Sequence, residues 1–407
     1  MSEPPGTTEE WLRFVSESGV QFPRLSFFLE RRGVSIDDVF CPLAQHHCKE
    51  LEELVFLDEY KISLSTPLSE LMPRLQRLYL HSIPDAWNPS TEIPTMFPAF
   101  PHLTLLHFTS EIPWETIDII LPQCPQLQKL SVTLSSRLKE PASATHLNTS
   151  PNSHEHLTYL ALSTDHGMVI IPDNFLHNWT FPNLRMLDYQ LDDSETPPWV
   201  LSHPLISTVS RLILVRRDAC GGYENEETLP AILRVAHSVE ELGLACLDVG
   251  GDASVLKDTM KIITSIASSP SHSRLVKSLK RLHFMGLDDT PAVLNACQGQ
   301  LQELCEAWSR HLDHLVLRFN DLSDTANDNG VEELFAEMKA GAKAGVSAEE
   351  IPMEVEILLF WEYIGLPLVP IGFQMWPLDF DRQTPLFKVL QEDGSWKERR
   401  GSAYHIA

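Results

Sequence analysis

The chain has 407 residues, of which 43% are hydrophobic and 21% are charged, and its formal net charge at pH 7 is −25. This composition is typical of a foldable, water-soluble protein and excludes an intrinsically disordered one. The acidic balance argues against binding to nucleic acid phosphates or to an anionic membrane, because either would be approached against electrostatic repulsion. We therefore expect no nucleic acid and no membrane among its partners.

The lack of a predicted secretory signal or membrane span, together with the cysteine pattern, indicates an intracellular protein. The first 20 residues carry Glu9, Glu10 and Glu17 without a continuous apolar core, so a secretory signal is not expected. No window of 18 apolar residues predicts a membrane span. The seven cysteines are scattered and lack C-x-x-C spacing, which indicates a reducing compartment. We predict a cytoplasmic or nuclear location.

Residues 1–50 predict a helical N-terminal cap. Helices are expected to begin near Thr8, near Phe22 and near Ser35, and the second of these would carry Leu25 on its apolar face. The terminal repeats of a repeat protein are atypical because they must shield the end of the core from water.

A short motif recurs from Leu51 onward, with apolar residues at its first, fourth and sixth positions, and its clearest copy lies between Cys124 and Val132. The first positions of the copies are Leu51, Leu75, Leu103, Leu127, Leu157, Leu184, Val209, Val239, Leu279, Leu312 and Val355. In an extended strand the fourth and sixth side chains point to the same face. The early intervals, such as the 24 residues from Leu51 to Leu75, fit the roughly 20 to 29 residues of a leucine-rich repeat.

These spacings predict an α/β fold, a leucine-rich-repeat solenoid with a curved parallel sheet and helices on its convex side. The irregular repeats, about eleven of them, would occupy residues 51–365. A C-terminal cap and a loose tail are expected at residues 366–407, where the repeat fades.

A specific resemblance accompanies the repeat pattern. The proline-led strands, together with Leu334–Lys339 and Met353–Ile357, resemble the leucine-rich-repeat region of fungal F-box proteins, of the ribonuclease-inhibitor-like type. The resemblance covers roughly residues 20–365, but the first 50 residues lack the leucine-proline-x-glutamate opening of an F-box. It implies protein recognition, with substrate selection for a ubiquitin ligase as the family role and ligase subunits as partners.

No catalytic or ligand-binding motif stands out. The adjacent residues His46, His47 and Cys48 cannot all face one metal ion, and no second cluster follows at zinc-site spacing. Phosphate-binding and nucleophile-elbow glycine motifs are missing from the sequence. We expect no catalytic residue, no metal and no cofactor. Two alternatives stay open, an enzyme with its site in the long insertions after Val239 or Leu312, and a purely structural scaffold.

The residues between the inward leucines are the candidate partner-binding positions, because they should line the concave face. They are rich in arginine, tyrosine and tryptophan, the residue types enriched at interface centres. The candidates are Arg77, Tyr79, His107, Lys129, Tyr159, Arg211, Arg281, His283, His314, Arg318 and Trp361. We predict a monomer that recognises a protein partner without catalysis. The structural alternative is a solvated sheet face with mixed charges.

Overall fold

The computed structural model describes fifteen segments of the chain, and the statements below refer to these. They are residues 23–27, 48–56, 72–80, 100–114, 116–135, 152–164, 176–190, 204–217, 228–247, 253–287, 290–320, 328–343, 353–361, 386–390 and 396–400. The chain forms two compact units, Met1–Leu184 and Arg185–Ala407.

The first unit is built on parallel strands joined in chain order. Its described elements are β1 (Arg24–Phe27), β2 (Glu53–Phe56), β3 (Arg77–Leu80), β4 (Leu105–Pro113), α1 (Thr116–Gln123), β5 (Lys129–Ser135), β6 (Asn152–Ser153), β7 (Tyr159–Thr164) and β8 (Trp179–Thr180). Strands β1 to β5 and β7 pair in parallel, each with the next. The short strands β6 and β8 form a separate parallel pair.

The second unit repeats this plan with more helix. Its described elements are β9 (Met186–Gln190), α2 (Leu205–Thr208), β10 (Arg211–Arg217), α3 (Thr228–Val235), β11 (Glu241–Leu247), α4 (Ser254–Ala267), a 3₁₀ turn (Pro270–His272), α5 (Ser273–Ser278), β12 (Arg281–Leu287), α6 (Pro291–Cys297), α7 (Gln300–Trp308), β13 (His314–Asn320), α8 (Asp328–Lys343), β14 (Glu354–Trp361), β15 (Leu386–Leu390) and β16 (Trp396–Arg400). Strands β9 to β14 are parallel neighbours, and β14, β15 and β16 pair in antiparallel fashion. The predicted α/β fold with a parallel sheet is confirmed.

The leucines of the motif form the core on one face of each sheet. In the second unit Leu212, Leu242, Leu282 and Leu315 are register neighbours on four successive strands, and all are buried. Helices cover this core: the indole Nε1 of Trp308 in α7 donates a hydrogen bond to a backbone oxygen of α4 at 3.0 Å. Burying each leucine contributes roughly 1.5 to 3 kcal/mol.

A recurring backbone pattern precedes nine of the described strands, β2 to β5, β7 and β10 to β13. The carbonyl of Gln76 accepts hydrogen bonds from two successive amides of the next repeat, those of Thr104 at 2.8 Å and Leu105 at 3.0 Å. The same double acceptance occurs at Pro23, Glu52, Thr104 and Gln128 in the first unit, and at Arg185, Ser210, Glu240 and Lys280 in the second. At these strands, two backbone hydrogen bonds to the preceding repeat therefore fix where the strand begins.

The predicted helix beginning near Phe22 is wrong where the structure describes the chain, because Arg24–Phe27 is strand β1. Phe22, Leu25 and Phe27 fit the first, fourth and sixth positions of the motif, so the segment is a further copy of it. A short apolar run does not separate helix from strand by periodicity alone. Pairing with β2 decides in favour of strand. The helices expected near Thr8 and Ser35 lie outside the described residues.

The last repeat has a different register from the prediction. Val355 pairs with Leu315, the fourth position of its repeat, so it is not the counterpart of Leu312. The residue three places earlier is Pro352, which supplies no aliphatic side chain to mark the start. The expected loose tail also differs from the structure, since β16 covers 396–400 and pairs with β15.

Candidate partner-binding face

Residues at the third position of each motif lie side by side across the strands, and we call them the first row of each unit. In the first unit this row contains Glu53, Arg77, Leu105, Lys129 and Tyr159. In the second unit it contains Met186, Arg211, Glu241, Arg281, His314 and Glu354. Strand alternation places these residues on the sheet face opposite the leucines.

Acids and bases of the first rows pair across neighbouring strands. Nε of Arg77 lies 2.9 Å from Oε2 of Glu53, and Nε of Arg211 lies 3.0 Å from Oε2 of Glu241. Counting charges along the chain misses these pairs, because they depend on strand register. Two of the predicted basic candidates therefore already contact a carboxylate of the same face.

Glu241 is the centre of a buried polar cluster. Its Oε1 lies 3.1 Å from Nε2 of the His283 ring. Burial raises the pKa of the Glu241 carboxyl, but His283, Arg211 and Arg281 lower it by more, so the net pKa lies below its usual value. The carboxylate is therefore ionised at neutral pH.

The His283 ring belongs to the same cluster and titrates in the opposite sense. Burial lowers its pKa, Glu241 raises it, and the charges of Arg318 and Arg281 lower it again, with a net decrease from the usual histidine value. His283 is therefore neutral at pH 7, which avoids placing another positive charge beside the two arginines.

Five of the eleven predicted candidates are buried within the chain. They are Tyr79, His107, Tyr159, His283 and Arg318, each at most 5% exposed. His107 meets Tyr79 edge-on with 6.0 Å between the ring centroids, and burial lowers the pKa of His107 to about 3. These five side chains are enclosed by their neighbours and expose almost no surface that a partner could contact.

The other candidates are distributed as follows. Arg77, Lys129, Arg211, Arg281 and His314 all lie in the first rows and keep part of their surface exposed. The backbone of Trp361 pairs with Leu386 of β15, and its side chain lies outside the described part of the structure. Trp361 is the last residue of β14, seven residues after Glu354, and is therefore not a member of the first row.

An apolar cluster that the sequence analysis did not single out lies on the same face of the second unit. It contains Ile213, Val215, Ala245 and Met285, with Met186 packed against it. A Cβ built on Gly243 would lie 2.6 Å from the terminal methyl of Met285. The sequences of β10 and β11 do indicate this cluster, because the positions that face away from the leucine core carry apolar or small residues where a solvated face would carry polar ones.

The described residues offer little to nucleophilic or metal chemistry. Cysteines 48, 124, 246, 297 and 305 are buried and reduced, and burial raises the pKa of Cys124 to about 12. A thiol with such a pKa supplies almost no thiolate at neutral pH. Among the residues described, no group of three metal-ligating side chains is present. No described helix is both long enough and apolar enough to cross a membrane.

A search with protein-family models found no match to the chain, and a search of curated proteins found none either.

Proposed function

We propose that the protein recognises a protein partner, without catalysis, through the half-exposed basic side chains of its first rows. The observation that supports this most directly is where the exposed candidates lie. Five of them, Arg77, Lys129, Arg211, Arg281 and His314, share the first-row position although the chain carries a net charge of −25. Basic residues at the same motif position in both units of an acidic protein favour an acidic partner segment.

The proposal includes the finer description of the fold, in which each unit is part of a leucine-rich-repeat solenoid. Parallel strands joined in chain order support it, as do the leucines on a single face and the carbonyl that accepts two amides before most of the parallel strands. In such a solenoid each repeat contacts mainly its neighbours and the inner face is the usual binding surface.

Recognition would depend on a few strong contacts, and the surrounding residues would contribute little binding energy. Arginine is enriched among the residues that dominate binding energy, and its planar guanidinium binds carboxylates in bidentate fashion. The buried members of the face, such as Tyr79 and His107, would support the first row from below. Their part is structural in this scheme.

The test is capture of partners from lysate by a variant in which Lys129→Gln, Arg281→Gln and His314→Gln are combined. These side chains were chosen because Arg77 and Arg211 pair with the largely buried acids Glu53 and Glu241, so changing them endangers the fold. We expect proteins captured by the wild type to be lost while the circular dichroism spectrum stays unchanged.

The matched control changes Lys261, Lys277 and Lys280 to glutamine, because all three are exposed and none belongs to a first row. Capture should be unaffected in this control. If the first-row variant kept the same captured proteins at the same yield, recognition through this face would be refuted. Ligase subunits among the captured proteins would favour the ubiquitin-ligase role, which stays a prediction from the resemblance.

A further inference from the structure

The first row of the second unit contains one cation whose acidic neighbour is already engaged. Arg281 is flanked in register by Glu241 on β11 and by His314 on β13. Glu241 directs Oε2 to Nε of Arg211 at 3.0 Å and Oε1 to His283 at 3.1 Å. On the other side, Nδ1 of His314 lies 3.3 Å from Oε2 of Glu354.

Arg281 itself forms no ion pair with any carboxylate of the described residues, although Glu241 is close enough to interact electrostatically. Its side chain is half-buried, on a strand whose next residue on the same face, His283, is buried. A half-buried guanidinium without an acid contact has lost part of its hydration and gains strongly from a carboxylate that reaches it.

We propose that Arg281 anchors a carboxylate side chain, aspartate or glutamate, of a bound protein segment. This inference rests on the proposed function and names the chemical group recognised there. Arg211 and Arg281 carry one positive charge each and Glu241, between them in the row, carries one negative charge, so the site offers about one net positive charge, which suits a single carboxylate. A polyphosphate chain would meet Glu241, Glu354 and the net charge of −25.

The test measures fluorescence anisotropy of two labelled, end-capped peptides of serine and glycine with the full-length protein; one carries a single central glutamate (the Glu peptide) and the other a glutamine at that position (the Gln peptide). We expect the wild type to bind the Glu peptide at least about tenfold more tightly than the Gln peptide, as a charge-assisted contact implies. Arg281→Gln should abolish this preference. Arg281→Lys should keep part of it, because lysine retains the charge but not the bidentate geometry.

Lys280→Gln is the matched control, since Lys280 is the adjacent residue, is exposed, and pairs with Glu240 at 2.9 Å. It should bind both peptides as the wild type does. A wild type without a preference for the Glu peptide, or a preference that survives Arg281→Gln, would overturn the assignment. The triple first-row variant separates this result from the proposed function. If that variant still loses the captured proteins, recognition through the first rows stands and only the role of Arg281 as a carboxylate anchor is refuted.

Discussion

His154 occupies a place that other repeats fill with a large apolar or a sulfur-containing residue. Phe100, Cys124 and Phe181 each lie three residues before the first apolar position of their motif, and His154 lies three before Leu157. The ring is buried, and its Nε2 donates a hydrogen bond to the Cys124 carbonyl at 3.0 Å. A polar ring is accepted in this core position because it bonds to the preceding repeat.

His154→Ala should lower the free energy of unfolding by about 1 to 3 kcal/mol, since it removes a buried hydrogen bond and leaves a cavity. Urea unfolding followed by circular dichroism measures the change. His156→Ala is the control, because this side chain two residues away is exposed and its removal should cost less than about 0.5 kcal/mol. Equal effects of the two substitutions would contradict the structural role of His154.

His107 should make stability depend on pH. Its folded pKa of about 3 lies below the unfolded value of 6.5, so the unfolded chain binds the proton first as the pH falls. Stability is therefore lost on acidification through the unfolded pKa, by about 2 kcal/mol at pH 5 for this residue alone. His107→Phe should flatten the loss, measured by urea unfolding between pH 7.5 and pH 5, and a loss as steep as that of the wild type would contradict this account.

At the scale of elements, the side chain of Met285 on β12 lies over Gly243 of β11. A Cβ at that position would meet the terminal methyl of Met285 at 2.6 Å. Gly243→Ala should cost at most about 1 kcal/mol, because the atom that must move is the flexible end of Met285, whereas Met285→Ala should cost about 2 to 5 kcal/mol by opening a cavity. In a double-mutant cycle the combined variant should cost clearly less than the sum of the two changes. Strict additivity would show that the two residues do not press on each other.

The strands were predictable because their pattern is local. Strands β2 to β5 and their counterparts in the second unit begin two residues after the predicted first apolar position, as with Leu75 and Arg77. The errors at β1 and β14 have physical causes. The motif copy that contains β1 has Phe22 at its first position, where the predicted copies have leucine or valine. The copy that contains β14 has Pro352 at its first position in place of an aliphatic residue.

The partner-binding face was only partly predictable, because its properties depend on register and burial. Sequence spacing placed Arg211 and Glu241 on one face but did not show that they pair. It also gave no reason to expect that His283 and Arg318 would be buried while Arg281 kept exposed surface. Such differences between residues on the same sheet face arise from packing that the motif does not encode.

At the scale of the whole molecule, the net charge of −25 and the local positive charge of Arg281 should give stability and binding opposite responses to salt. Raising NaCl from about 0.1 M to about 1 M shortens the screening length from about 10 Å to about 3 Å. Screening reduces repulsion within the folded chain, so the thermal midpoint should rise. It also weakens the attraction between Arg281 and a carboxylate, so the preference for the Glu peptide should decrease, whereas binding of the Gln peptide, the control, should not change. A fall of the midpoint with salt would contradict this account.

The carbonyl that receives two amides at the start of a strand has a consequence for how such a chain can change. Gln76 and its counterparts fix the alignment of each new strand locally, whatever length of chain came before it. Intervals as different as 24 residues, from Leu51 to Leu75, and 40 residues, from Val239 to Leu279, therefore end in the same alignment. Connecting segments are thus free to lengthen or shorten over generations without shifting a single leucine out of the interior.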